Sequence, residues 1–276
     1  MATQSQRAVK VTTPLGADEL VFHRMTITEE LGRLFHAEVE MMSRRMDIAP
    51  ADLLGNTVTV EWELEQGGSR YLNGYVTHFN QVGVHRNYVR YRAILRPWLW
   101  FLTRTADCKI FQEKTVPDII KEVFSDLGFS GDLEDKLTGS YRTWEYCVQY
   151  RETDFNFVSR LMENEGIYYY FTHTSSGHKL VLSDDYASHG TMPNYDTLPY
   201  YPPAEGAQRA RDHLSEWTYG QSVRSGTFAL NDFDFEKPKA DLKVVSANPQ
   251  SHEHADYEVY DYPGGYKVAA EGDPYV

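Results

Sequence analysis

Residues 144–171 read WEYCVQYRETDFNFVSRLMENEGIYYYF and contain the clearest structural instructions in this 276-residue chain. The stretch 147–150 has the composition of a strand. Thr153 then offers an N-cap, apolar residues follow at helical spacing, and Gly166 supplies a C-terminal stop. An aromatic strand at 167–171 comes directly afterwards. The segment contains no catalytic chemistry, so it predicts a structural unit in which a capped helix lies between two strands.

The first hundred residues alternate apolar and polar side chains with a period of two, which is typical of half-buried antiparallel strands. In the clearest run, Val58, Val60 and Trp62 point one way, whereas Thr59 and Glu61 point the other. Glycine- and proline-containing turns separate such runs. The predicted strands cover residues 20–28, 35–41, 58–64, 70–79 and 88–95. Five or six short strands at this spacing predict a small barrel or sandwich.

A helix is predicted after residue 115. Thr115 caps it, Asp118 completes an acidic capping box, and Pro117 occupies the first turn, where its missing N–H costs nothing. An apolar stripe follows and Gly128 ends the helix. We expect residues 129–143 to form a loop. The run 98–102, WLWFL, is apolar on every side and is predicted to be buried, in the core or partly against a partner.

The C-terminal part is predicted to contain a hairpin, a long connection and further strands. The hairpin joins 168–171 to 179–183, and residues 187–212, rich in Pro, Gly, Asn and Tyr, are expected to be an extended connection. Strands are predicted at 214–220, 227–235 and 242–248. The layout of 213–238 weakly echoes that of 19–44, which hints at a duplicated barrel.

Charge and hydropathy exclude two classes of partner. The formal net charge is −13, whereas sequence-independent binding to nucleic acid or an anionic membrane requires a cationic surface. No apolar run is long enough for a membrane span, and the N-terminus lacks the hydrophobic region of a signal peptide. We therefore expect synthesis and folding in the cytoplasm, with any export by another route.

The histidines and cysteines give no convincing metal or redox site. His252-Glu253-His254 is the best local cluster, but it lacks a third ligand and is interpreted as a solvated loop. The two cysteines, Cys108 and Cys147, are too few for a disulfide framework. Reduced thiols are favoured, with pairing across adjacent strands as the open alternative.

Two pairs of acidic side chains resemble catalytic carboxylates only in their composition. Asp184-Asp185 is interpreted as turn chemistry, and Glu163 and Glu165 as the polar end of a helix. Nucleophile elbows, phosphate-binding loops and dinucleotide-binding motifs do not occur in the sequence. We therefore expect no enzyme activity and nominate no catalytic, cofactor-binding or metal-ligating residue. For folding, Trp98, Trp100 and Phe157 are predicted to be core residues.

Three separated segments carry a family resemblance. VQYRETDFNFVSRLMENEGIYYYF at 148–171, RPWLWFLTRTADCKIFQEKTVPDII at 96–120 and EVYDYPGGY at 258–266 resemble the VgrG family, the spike proteins of the bacterial type VI secretion system. The resemblance runs from about residue 22 to residue 266. It implies a mainly β fold with inserted helices (α+β), built from two related small β-barrels similar to the baseplate hub protein of contractile phage tails.

The resemblance also implies a domain plan. Residues 1–106 would form the first barrel and 107–186 a helix and hairpin insertion. Residues 187–262 would supply the connection and the second barrel, and 263–276 a connector towards an OB-fold neck and a β-helix needle. Family members continue into those parts, so we expect this chain to be a fragment.

Partners follow from the same resemblance. A homotrimer with two barrels per chain would form a pseudo-sixfold ring on the hexameric Hcp tube, contact baseplate components and be ejected when the sheath contracts. Spike-tip proteins and effectors would bind through the absent C-terminal parts, and the fragment alone would be a weak trimer or a monomer. Two alternatives stay open: the hub of a phage tail or phage-like particle, and a cell-wall carbohydrate-binding or hydrolase module that uses Tyr and Trp as sugar platforms.

Overall fold

The computed structural model describes residues 3–64, 67–191, 196–202, 213–248 and 251–275. The chain divides into two compact units, Met1–Thr197 and Leu198–Val276. Strands outnumber helices in both units, which confirms the predicted mainly β fold with inserted helices. No helix in these described ranges has the length and apolar character needed to cross a membrane.

The first unit begins with a six-stranded antiparallel sheet in the order β1-β4-β5-β6-β3-β2. Its strands are β1 (Val9–Thr12), β2 (Val21–Thr28), β3 (His36–Ser43), β4 (Thr57–Glu63), β5 (Ser69–His85) and β6 (Tyr88–Arg96). The five strands predicted from period-two alternation are confirmed, and the short β1 was missed. Along β6 buried and half-buried residues alternate from Tyr88 to Arg96, as expected of a sheet with one face on a core.

A side chain joins the two edge strands of this sheet. Gln4 is buried, and its amide nitrogen donates to the carbonyls of Val11 (3.1 Å) and Leu20 (3.3 Å). Its amide oxygen accepts from the backbone N–H groups of Val11 and Phe22, both at 2.9 Å. The Gln4 amide therefore links the backbones of β1 and β2, the two outer strands of this curled sheet.

The rest of the first unit is a mixed segment with its own core. After a 3₁₀ helix at Trp98–Thr103, its elements are β7 (Ala106–Thr115), α1 (Val116–Asp126), β8 (Leu133–Lys136), β9 (Thr143–Thr153), α2 (Asp154–Asn164), β10 (Tyr168–His173) and β11 (His178–Ser183). The capping box at α1 and the Thr153 cap of α2 are as predicted. The prediction of a loop over 129–143 is wrong in part, because β8 pairs in parallel with β11. With four residues and a distant partner, β8 leaves no local signal.

A buried polar network connects the six-stranded sheet to this second core. The backbone N–H of Trp98 donates to His178 Nε2 (2.9 Å), so the ring proton lies on Nδ1 and faces the side-chain oxygen of Asn73 at 2.9 Å. The Asn73 amide in turn donates to Thr59 Oγ1 at 2.8 Å. Burial, helped by nearby His173, lowers the pKa of His178 to about 3. The imidazole is therefore neutral and acts as a fixed link between β5 and β11.

The second unit contains a small three-stranded sheet in the order β13-β12-β14, where the second barrel was expected. The strands are β12 (Thr227–Leu230), β13 (Val244–Ala247) and β14 (Glu258–Asp261), and a short helix α3 (Ala269–Gly272) follows. Four residues form its buried cluster: Leu230, Leu242, Val244 and Tyr266.

Predictions for the second unit were less accurate. Residues 214–220 do not form a strand, since only Leu214 makes a bridge, to Tyr200. The strand predicted at 227–235 is shorter, and β14 was missed because it lies in a charged, tyrosine-rich stretch. Of the predicted connection 187–212, the parts 192–195 and 203–212 lie outside the described residues.

Candidate interaction surface

The quoted segment places its tyrosines on different faces. β9 pairs with β7 as a two-stranded antiparallel ribbon. One side of the ribbon faces the core through Phe111, Cys147 and Gln149, all buried. The opposite side presents the large apolar residues Ile110, Tyr146, Val148 and Tyr150, which are 54%, 51%, 36% and 65% exposed. We call these four residues the ribbon face.

The register makes the ribbon face continuous. Ile110 lies opposite Val148, Gln112 opposite Tyr146 and Cys108 opposite Tyr150. Side chains that face each other across antiparallel strands lie about 5 Å apart, so the apolar residues of the two strands form one patch.

Two irregular residues mark the limits of the ribbon face. Glu113 in β7 and Arg151 in β9 each have φ of +52°, a left-handed conformation that is uncommon for residues other than glycine. At Arg151 the register shifts, as in a β-bulge, and the guanidinium lies 5.2 Å from the centre of the Tyr150 ring. Such strained positions persist only where the surrounding structure enforces them, and they concentrate at functional sites.

The elements beneath hold the ribbon rigidly. Phe111 stacks on Phe157 of α2 with ring centres 5.4 Å apart. Arg160 of α2 donates to the carbonyl of Val148 (2.8 Å) and to both carboxylate oxygens of Glu152. The side chain of Gln149 donates to the carboxylate of Asp154 at 2.6 Å. The exposed residues are therefore presented by a preorganised support.

The C-terminus of α2 explains how the chain returns directly into β10. Gly166 has φ of +69°, and the N–H of Ile167 donates to the carbonyl of Met162 at 2.8 Å. With the N–H of Gly166 bonded to Glu163, this is a Schellman motif, which requires the left-handed residue that glycine supplies. The predicted stop at Gly166 is confirmed.

Asp184 and Asp185 serve local structure. Asp184 accepts hydrogen bonds from the N–H groups of Thr138 and Gly139 and from the Tyr141 hydroxyl, at 2.6–3.0 Å. Partial burial raises the pKa of Asp184, but these donors outweigh it and hold the pKa below its usual value. Asp185 accepts from the N–H of Ala187. Both carboxylates are thus committed to turns, as the sequence indicated.

The remaining candidate residues fall outside any common site. Glu165 forms the C-cap of α2, and Glu163 lies exposed in its last turn. His252 Nδ1 lies 2.8 Å from the carbonyl of Glu253, and the His254 ring packs against Tyr257. Within the described ranges, no group of three His, Cys, Asp or Glu side chains could hold a metal ion.

The cysteines are both free, which excludes the alternative of a cross-strand disulfide. Cys147 lies opposite Phe111 and is buried, whereas Cys108 lies opposite Tyr150 and is exposed. Burial raises the pKa of the Cys147 thiol.

Sequence reasoning identified the segment but not which side of it is exposed. In β9 apolar residues occupy both sides of the ribbon, so a period-two pattern cannot tell the buried side from the exposed one. Ile110 was missed because its strand β7 is mostly polar.

Comparisons with known proteins agree with this architecture. A family model described as the phage tail baseplate hub (GPD) matches residues 28–276. The chain is 52% identical to the type VI secretion system spike protein VgrG1b of Pseudomonas aeruginosa and 49% identical to VgrG1a, in each case over 99% of its own length. It spans only 36% and 42% of those two proteins.

Solved structures show the same fold. The E. coli c3393 protein, described as a component of the type VI secretion system, is 25% identical with a TM-score of 0.54, over 65% of this chain and 52% of that chain. A tail protein from Neisseria meningitidis is 16% identical with a TM-score of 0.60, over 95% and 73% of the two chains, and shows the fold alone. The chain therefore belongs to the phage tail baseplate hub family and resembles, within it, the VgrG spike proteins of type VI secretion systems.

Proposed function

We propose that this chain is the structural hub at the base of a type VI secretion spike. Three copies assemble into a pseudo-sixfold platform on the Hcp tube, and the spike leaves with the tube when the sheath contracts. The proposal is supported by the family match over residues 28–276 and by about 50% identity to spike proteins over nearly the whole chain.

In this proposal the parts of the chain have mechanical roles. The barrel of residues 1–106 and the strands of 187–262 form the ring, the insertion 107–186 braces it, and 263–276 lead towards the spike. Assembly takes place in the cytoplasm with other baseplate components. The chain itself contributes binding surfaces and no catalysis.

The ribbon face is the observation that carries the proposal. Four large apolar side chains, two of them tyrosines, are exposed to solvent, and the packed elements beneath fix their positions. Tyrosine is enriched in protein interfaces because it buries a large ring while its hydroxyl keeps a polar partner. A fixed, exposed apolar patch of this kind indicates a protein-binding surface.

Co-sedimentation with Hcp tubes from the same bacterium tests the proposal. The unaltered chain should sediment with the tubes, and Tyr146→Ser with Tyr150→Ser should weaken the association about tenfold or more, since buried interface tyrosines are common hot spots. Tyr186→Ser is the matched control, because Tyr186 is 88% exposed and lies outside the ribbon face. Failure of the unaltered chain to bind Hcp would contradict the platform role. If the Tyr146→Ser, Tyr150→Ser variant binds as strongly as the unaltered chain, the ribbon face does not contribute to Hcp binding.

A further inference from the structure

The first 3₁₀ helix after β6 is not buried on every side, although its sequence WLWFL is wholly apolar. Three of its side chains are enclosed in the core: Trp98, Leu99 and Leu102. Trp100 and Phe101 are only half-buried. The indole ring of Trp100 therefore reaches the surface, and surface tryptophan is the residue type most enriched, with tyrosine and arginine, among the hot spots of protein interfaces.

Two arginines cover this indole ring. The guanidinium carbon of Arg104 lies 4.9 Å from the centre of the Trp100 ring, and that of Arg96 lies 5.9 Å from it. At these distances a cation is attracted to the face of the ring. A guanidinium that stacks by its flat face keeps the N–H groups of its edge available for a carboxylate. We call Arg96, Trp100 and Arg104 the arginine clamp.

The arginine clamp has no counter-charge of its own. In the parts of the chain that the structure describes, no carboxylate oxygen lies within 4.0 Å of a side-chain nitrogen of Arg96 or Arg104. Arg104 Nε donates to the hydroxyl of its neighbour Thr103 at 3.0 Å, which leaves its positive charge without a negative partner. Burial, and secondly the nearby charge of Arg104, lower the pKa of Arg96. The two cations therefore stand close enough to repel each other.

Arginines elsewhere in the same unit show what a neutralised guanidinium looks like. Arg24 lies 2.8 Å from the carboxylate of Glu40, and Arg160 lies 2.7 Å from that of Glu152. The chain has 40 Asp and Glu residues against 27 Lys and Arg, so carboxylates are abundant. Two neighbouring guanidiniums without one indicate a site whose anion comes from another molecule.

The backbone beneath the arginine clamp holds it in place. Arg96 is the last residue of β6 and is paired with Tyr75 of β5. The N–H of Arg104 donates to the carbonyl of Phe101 at 2.8 Å. The Phe101 ring packs edge-on against both Trp100 and Tyr75, with ring centres 5.7 and 5.1 Å apart. Such preorganisation lowers the entropic cost of binding a ligand.

The chemistry of the arginine clamp favours a carboxylate. A guanidinium fork donates two parallel hydrogen bonds to a carboxylate, and these charge-assisted bonds are strong. Nucleic acids and anionic membranes require a broad cationic surface instead, whereas the net charge here is −13. We propose that the arginine clamp binds the Asp or Glu side chains of an acidic segment of a partner protein. The site shares no residue with the ribbon face and goes beyond the proposed hub role.

A fluorescently labelled hexaglutamate peptide tests the proposal by fluorescence anisotropy at low ionic strength. The unaltered chain should bind this peptide and not a hexaglutamine peptide. Arg96→Gln with Arg104→Gln should weaken binding about tenfold or more. Arg44→Gln is the matched control, because Arg44 also covers an aromatic ring, that of Tyr88 at 5.6 Å, but at the opposite end of β6. Absence of binding by the unaltered chain, or an equal loss in Arg44→Gln, would overturn the proposal.

A lysine variant separates the guanidinium fork from its charge. Arg96→Lys with Arg104→Lys keeps both charges but cannot form the bidentate contact, so it should recover only part of the affinity. Full recovery would overturn recognition by the fork. Tighter binding of a single-stranded DNA oligonucleotide or of inorganic phosphate would overturn the choice of ligand. Loss of self-association in the glutamine variant, measured by sedimentation velocity, would assign the arginine clamp to a second copy instead.

Nuclear magnetic resonance of the unaltered chain gives a readout that no variant can disturb. The Nε–Hε signals of Arg96 and Arg104 should move when hexaglutamate is added, whereas that of Arg44 should stay in place. Movement of all arginine signals alike would show a diffuse charge effect and refute the site. Hcp co-sedimentation judges the hub proposal separately, since neither proposal depends on the other.

Discussion

Replacing Gln4 tests whether one side chain holds together β1 and β2, the outer strands of the six-stranded sheet. In Gln4→Ala, four hydrogen bonds to Val11, Leu20 and Phe22 are lost together. Each is worth about 1 kcal/mol net, which gives about 4 kcal/mol. Water that enters the space left by the shortened side chain compensates part of this. We therefore expect the free energy of unfolding to fall by about 3 kcal/mol, roughly a hundredfold in the unfolding equilibrium.

Hydrogen exchange measured residue by residue is the decisive assay. The amides of Val11 and Phe22 should lose protection in Gln4→Ala, whereas amides inside the β5–β6 pairing should change only as far as global stability changes. Urea denaturation, followed by tryptophan fluorescence, gives the overall loss.

Gln4→Glu is the matched control because it preserves shape and acceptor capacity but loses the two N–H donors. Its carboxylate would face the carbonyls of Val11 and Leu20, so its pKa in the folded state should be raised above the unfolded value. The stability of this variant should therefore improve as the pH falls through that raised pKa and decline as the pH rises. If the alanine variant loses less than about 0.5 kcal/mol of unfolding free energy, and the amides of Val11 and Phe22 stay protected, the proposed link of β1 to β2 through Gln4 is refuted.

Three further predictions concern the core, a turn and the thiols. Phe157→Ala should cost about 3 to 5 kcal/mol in urea denaturation, since the ring is fully buried, whereas Trp100→Ala should cost less because Trp100 is only partly buried; equal costs would contradict the packing. The carboxylate of Asp184 has a lowered pKa, so its contribution is present above the ordinary value of 3.8 and is lost as the pH falls through the folded-state pKa. Asp184→Asn should thus be less stable than the unaltered chain at neutral pH, and this difference in unfolding free energy should disappear in acid. A difference that does not change with pH would contradict a stabilising role of the ionised Asp184 carboxylate. A thiol reagent should modify Cys108 quickly and Cys147 only on unfolding, and mass spectrometry that finds Cys147 labelled in the native chain would contradict its burial.

Local signals were sufficient where neighbouring residues determine structure. The Thr115 capping box, the Thr153 cap and the Gly166 stop were predictable because helix ends are satisfied by groups a few residues away. Five of the six strands of the first sheet were equally predictable, since one face is buried and the period of two is clear.

Long-range contacts were not predictable. β8 pairs with β11, some 47 residues later in sequence, and the Asn73–His178 link joins residues 105 positions apart. The hydrogen bond from the Phe22 N–H to the Gln4 side chain joins residues 18 positions apart, and it likewise depends on how the sheet curls. None of these leaves a periodic pattern, because each residue acts singly.

For this protein, the sequence by itself determined the mainly β class, the two capped helices and the family resemblance carried by the segment 144–171. Only the tertiary structure decided that Tyr146 and Tyr150 face outward while Cys147 and Gln149 are buried, and that the predicted strand at 214–220 forms, within the described residues, only the Leu214 bridge to Tyr200. The physical reason is that propensity and capping act over a few residues. Which face of a ribbon is buried, and which edge is free, depends on what packs against it from distant parts of the chain.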